Sequence, residues 1–144
     1  MNMTQEITFT GELLGYIRIF EQVTGTQVKD CLETPDKIVF IVAPGQGSKA
    51  IGKRGETATK LRELLKKNVQ IIEFAEDPKI FLKNIFWPYG VQSVEIEDRG
   101  KIIHATITVK PENKARAIGK HGANLDLARR IVNRHFEINS VSVA

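Results

Sequence analysis

Between residues 10 and 23 the apolar positions recur at helical spacing, with Leu13, Leu14, Ile17, Phe20 and Val23 on one face and Gly25 as a stop. Two short apolar runs follow, 28–33 and 37–43, separated by Pro35-Asp36, and they predict two strands joined by a turn. A short helical segment near 48–51 leads into Gly52-Lys53-Arg54-Gly55. A longer helix is predicted over 56–67 and a strand over 69–75.

The second half repeats that order. Asp77 can cap a helix, and Pro78 at its first position sacrifices no hydrogen bond. This helix carries Ile80, Phe81 and Ile85 and ends at Trp87-Pro88-Tyr89-Gly90. Strands near 91–97 and 101–109 come next, then a short helix, Gly119-Lys120-His121-Gly122, a helix to about 135 and a strand near 138–143. The pattern is therefore α-β-β-α-α-β twice, an α+β chain with domains at 1–76 and 77–144. Units of this size bury modest cores, so the two are expected to pack on each other.

The halves align on themselves at an offset of 67 residues with no gap over their central part. Val42 meets Val109 and Pro44 meets Pro111. Ala50-Ile51-Gly52-Lys53 meets Ala117-Ile118-Gly119-Lys120, Gly55 meets Gly122, and Arg62 meets Arg129. The apolar stripe Ala58, Leu61, Leu64 and Leu65 meets Leu125, Ala128, Ile131 and Val132, and both stripes are read as core.

Charge sharpens the picture. The chain carries a formal +4 over 144 residues, but residues 48–67 hold seven cations against two carboxylates, and 114–134 hold six against one. Two basic segments on an otherwise acidic chain point to two anion-binding surfaces. The composition, 42% hydrophobic and 26% charged, is that of a globular protein. The N-terminal residues have no basic segment followed by an apolar run, so no signal peptide is expected. No apolar stretch has the roughly 18 residues of a membrane span. The single cysteine, Cys31, allows no intramolecular disulfide. Together these features predict a soluble cytoplasmic chain, with no membrane among its partners.

Each Gly-x-x-Gly stands between two helices. Glycine lets the chain turn tightly and lets a nucleic-acid strand approach the main chain. The following helix offers free N–H groups and the positive end of its dipole. Lys53, Arg54 and Lys120 can direct cations at phosphates; His121 is the weaker candidate because a neutral imidazole adds no charge. Ile51 and Ile118, just before the glycines, are read as core residues that also floor a groove. Lys49 and Arg116, ahead of them, complete the candidate set with Gly52, Gly55, Gly119 and Gly122.

On these residues the chain resembles the K-homology (KH) family. Ile51-Gly52-Lys53-Arg54-Gly55 and Ile118-Gly119-Lys120-His121-Gly122 look like the KH signature, whose Gly-x-x-Gly loop clamps about four nucleotides of single strand. The element order resembles the type II arrangement, so the expected fold is two tandem type II KH domains. The second repeat, with Ala117-Ile118-Gly119-Lys120, Gly122, Asn124, Leu127-Ala128 and Ile138, is similar to the tandem KH pair of the NusA family. The resemblance implies binding of single-stranded, nascent RNA in transcription termination or antitermination. It implies RNA polymerase or a transcription complex as a second partner, and no catalysis or cofactor. A monomer is expected. The N-terminal polymerase-binding domain and the OB-fold domain of bacterial members have no counterpart in 144 residues, and the chain looks like the stand-alone KH pairs of archaeal members.

Rival readings are weaker. A role in ribosomal RNA processing keeps the same chemistry. A nucleotide-dependent enzyme would use residues 45–54, but the P-loop pattern from Gly47 to Lys53 ends in Arg54 where a magnesium-binding hydroxyl belongs. The dinucleotide-like glycines at 45 and 47 are followed within a few residues by Gly52, which interrupts the required helix. A protein-interaction module docking an acidic partner is the third alternative. His104, His121 and His135 have no cysteine partners at metal-ligand spacing. Trp87 and Tyr89 could stack on bases, but the preferred reading wedges them into the turn between the domains.

Overall fold

The Thr10 hydroxyl accepts a hydrogen bond from the Leu13 amide at 3.2 Å and so opens helix α1, Gly11–Thr24. Gly25 closes it in the left-handed conformation at φ +66°. The computed structural model describes residues 10–144, which divide into two compact units, 10–75 and 76–144. The N-terminal segment read as lacking signal-peptide character lies outside the described residues.

In the first unit α1 is followed by strands β1 (Val28–Glu33) and β2 (Lys37–Val42), short helix α2 (Gly47–Ile51), helix α3 (Glu56–Leu65) and strand β3 (Asn68–Glu73). The sheet order is β1-β2-β3, with β2 antiparallel to β1 and parallel to β3. Alternation along β2 sends Ile38, Phe40 and Val42 into one core with Phe20, Cys31, Ala50, Leu61 and Val69. Phe20 of α1 stacks on Phe40 at 4.1 Å between ring centroids. Cys31 is 1% exposed and behaves as a small core hydrophobe on its strand.

The second unit repeats the plan with α4 (Pro78–Ile85), β4 (Val91–Asp98), β5 (Ile103–Val109), α5 (Lys114–Ile118), α6 (Ala123–His135) and β6 (Ser140–Val143). Asp77 caps α4 by accepting from the Lys79 amide at 2.9 Å. The sheet order β4-β5-β6 has the same antiparallel and parallel pairings as the first. Both sheets shift register near the start of their first strand, between Val28 and Asp30 and between Val91 and Ser93. On the core side lie Phe81, Leu82, Ile85, Ala105, Ile107, Ala128 and Ile131.

The equivalence of the halves holds from α2 to the start of the last helix. It then breaks, because α6 has 13 residues against 10 in α3, close to one extra turn before the final strand. The stripe on α3 is also narrower than its spacing suggests. Ala58 and Leu61 are buried and Leu65 is half-buried, but Leu64 is 53% exposed. At 3.6 residues per turn, Leu64 points roughly 100° away from Leu65 and off the core-facing side.

Candidate nucleic-acid interface

Each loop is a tight turn that converts the end of a short helix into the start of a long one. In the first unit Gly52 takes φ +79°, ψ 170°, and Lys53–Gly55 form one 3-10 turn closed by the Gly55 amide donating to the Gly52 carbonyl at 3.2 Å. In the second, Gly119 takes φ +81°, ψ 167°, and the Gly122 amide donates to the Gly119 carbonyl at 3.0 Å. Arg54 and His121, the third residues of their loops, sit in the left-handed region at φ 57° and 56°. Gly55 and Gly122 follow at φ 71° and 72°. Two loops 67 residues apart thus agree to within a few degrees at every position that matters.

The first glycine of each loop is required by space as well as by φ. A Cβ on Gly119 would stand 2.8 Å from the backbone nitrogen of Asn124, and one on Gly52 would stand 3.0 Å from that of Thr57. The last glycines, Gly55 and Gly122, face open space. Asn124 also donates from Nδ2 to the Ala117 carbonyl at 2.7 Å, tying the long helix to the end of the short one. The sequence pattern did not single out Thr57 or Asn124 as loop-positioning residues. Their common place, two residues past the last glycine, is the clue that could have done so.

The long helices α3 and α6 begin at Gly55 and Gly122, neither of which supplies a side-chain cap. The N-terminal amides and the positive end of each dipole are therefore offered toward the loop. Lys53, Arg54, Lys120 and His121 are all exposed. Among the described residues, no ion pair engages Lys53, Arg54 or Lys120; the pairs formed include Lys67 with Glu33, Arg99 with Glu97, and Arg129 with Asp126. The loops differ next door, where exposed Glu56 in the first stands in the place of Ala123 in the second. A carboxylate there competes with a bound phosphate, so the second loop has the less opposed field.

The other candidates separate. Ile51, expected in the core, is 42% exposed, because Ala50 beside it takes the buried position on α2. Ile118 is half-buried, with Ala117 fully buried. Both isoleucines therefore present apolar surface beside the loop. Lys49 is exposed on α2, its Nζ near Gly25. Arg116 turns away from its loop: it donates to Asn113 Oδ1 at 2.7 Å and lies 5.9 Å from the centre of the Tyr89 ring. Trp87, expected to be wedged into a turn, is 79% exposed. No group of His, Cys, Asp or Glu that could hold a metal ion occurs among the described residues, and no described helix is long and apolar enough to cross a membrane.

This arrangement has known relatives. Residues 78–144 match the NusA-like second KH domain. Over 138 residues the chain is 33% identical to the probable transcription termination protein NusA of Thermoplasma acidophilum, covering 96% of this chain and 96% of that protein. The chain belongs to the NusA family. A NusA relative from Halococcus morrhuae, also named a probable transcription termination protein, is 34% identical over 138 residues, covering 96% of this chain and 99% of that one. The crystal structure of APE1850 aligns with a TM-score of 0.75 at 30% identity, over 94% of this chain and 100% of that one. The match is thus to the short archaeal form of NusA along nearly its whole length. The KH-like α+β fold follows from the family match and from the two three-stranded sheets.

Proposed function

We propose that this chain binds single-stranded RNA through two KH domains, 1–76 and 77–144, and acts on nascent transcripts in termination or antitermination. The observation that carries the reading is the duplicated loop: two turns of matching dihedral angles, each at an uncapped helix N-terminus, the first bearing Lys53 and Arg54 and the second Lys120, none of them in an ion pair among the described residues. Phosphates are held by Lys53, Arg54 and Lys120 and by the loop amides, with Lys49 adding charge and His121 contributing a ring nitrogen. Gly52, Gly55, Gly119 and Gly122 let the strand approach the main chain. Ile51 and Ile118 supply apolar surface for unstacked bases, and β3 and β6, the sheet-edge strands beside the long helices, lie where base edges can be read.

Arg116 has a different role in this reading, because its guanidinium is committed to Asn113 and Tyr89. The chemistry is positional and electrostatic, with no catalytic step and no cofactor. The names of the relatives support a transcriptional role in the cytoplasm, with a transcription complex as the second partner. The chain is proposed to act as a monomer.

Ultraviolet crosslinking in cells tests the role. Crosslinks to nascent transcripts of many genes are the expected result. Crosslinks confined to ribosomal RNA would move the role to ribosome assembly, and an absence of RNA crosslinks would overturn the reading.

A further inference from the structure

Tryptophan is the largest apolar side chain, and folding normally uses it. Here the only tryptophan of the chain is 79% exposed, so the turn that carries it leaves its burial energy unused. The turn itself is well fixed. Tyr89 donates its amide to Phe86, Lys110 donates its amide to Gly90 at 3.1 Å, and Asn113 donates from Nδ2 to the Tyr89 carbonyl at 3.0 Å. Tyr89 is half-buried near Phe86, with Arg116 over its ring. The indole is thus held out from a rigid base.

Beside it lies a cleft of about 460 Å³ lined by Lys83, Trp87, Pro88, Gly90, Val91, Lys110 and Asn113, with two lysines and no carboxylate. The Lys110 stem lies across Gly90, where a Cβ would come within 2.9 Å of it, so a bare glycine keeps that lysine close to the turn. Asn113 and Arg116 connect this cleft to α5, the helix whose far end carries the second glycine loop. Five residues of helix span only about 7.5 Å. The loop and the cleft lining at Asn113 thus stand at opposite ends of one short helix, a span that a few nucleotides can cover.

We propose that Trp87 is a stacking platform for a base of the bound RNA strand, with Lys83 and Lys110 taking the adjoining phosphates. The inference rests on the RNA-binding reading and extends it by one subsite. An exposed ring flanked by cations and free of carboxylates is the arrangement that single-stranded nucleic acid uses, because every base has a face to stack. An acidic peptide would satisfy the lysines but leave the indole without a planar partner.

Because Trp87 is the only tryptophan, its fluorescence in the full chain reports the site directly. The probes are a tetranucleotide, about the length one loop clamps, and a ten-nucleotide RNA, followed by anisotropy and by tryptophan emission. Binding of the longer RNA is expected to quench Trp87. Trp87→Ala is expected to weaken that RNA by about fivefold to a hundredfold, Trp87→Phe by less, and neither is expected to change tetranucleotide affinity. The exposed position makes misfolding of these variants a minor concern, and circular dichroism checks it.

If the ten-nucleotide RNA binds by anisotropy with emission unchanged and Trp87→Ala binds it equally well, the inference falls and the loop reading stands. If wild type binds neither RNA, both fall. Quenching by a poly-glutamate peptide but not by RNA would assign the cleft to a protein partner and overturn the inference.

Discussion

Changing Lys53, Arg54, Lys120 and His121 together to Asp is expected to remove RNA binding while leaving the fold intact. The fold is expected to survive because all four side chains are exposed and because Asp is among the residues that best tolerate the left-handed conformation of Arg54 and His121. Reversing three cations and adding one carboxylate lowers the formal charge by seven, from +4 to −3. It also places carboxylates at two helix N-termini that would otherwise receive phosphate.

The wild-type salt response sets the scale. Single-stranded nucleic acid loses affinity with a log–log slope of roughly −0.7 per neutralised phosphate. Four engaged cations, Lys49, Lys53, Arg54 and Lys120, then give a slope of about −2.8, or about a 150-fold loss between 50 and 300 mM salt. The variant should lose at least that much at low salt and show little further dependence. A folded variant that binds like wild type would remove the loops from the interface.

Gly119→Ala is expected to destabilise the second unit by about 3 kcal/mol, and Gly122→Ala by only about 1 kcal/mol. Both glycines have positive φ, but only Gly119 combines φ +81° with ψ 167°, a region essentially reserved for glycine. Its new methyl would also stand 2.8 Å from both the backbone nitrogen and the Cβ of Asn124, which is itself fixed by its bond to Ala117. At Gly122 the methyl meets nothing within 4 Å, so the cost is the left-handed conformation alone. Urea denaturation of the two variants measures the difference. Equal losses would mean that the close approach of loop and helix is not what requires the first glycine.

Much of this was legible in the sequence because the chain states its plan twice. Short apolar runs separated by turn residues mark the paired strands, and α2 and α5 begin and end at equivalent residues. The Gly-x-x-Gly spacing located both loops. What periodicity could not give was how far around a helix the core extends. Leu14, Leu64 and Ile80 carry helical spacing yet are exposed, because an apolar residue at the edge of a stripe is covered only if a neighbour reaches it. Hydrophobicity alone places Ile51 inward, but two adjacent helical residues cannot share one direction, and Ala50 faces the core. Trp87 misled for a related reason. Composition says that tryptophan is used, and only the geometry of the turn shows on which side. The matched left-handed conformation was also hidden, since Arg54 is not a residue type that favours a positive φ, although His121, its counterpart in the second loop, is.

The most direct test of the central claim is an equilibrium titration of the full chain, by anisotropy at one moderate salt concentration, with single-stranded RNA, duplex RNA and single-stranded DNA of equal length and sequence. Loops flanked by isoleucines that present apolar surface, beside a sheet-edge strand, need bases that are free to leave the stack, so single-stranded RNA is predicted to bind tightest and the duplex weakest. Equal binding of duplex and single strand would reduce the two loops to sequence-blind phosphate contacts and contradict the account.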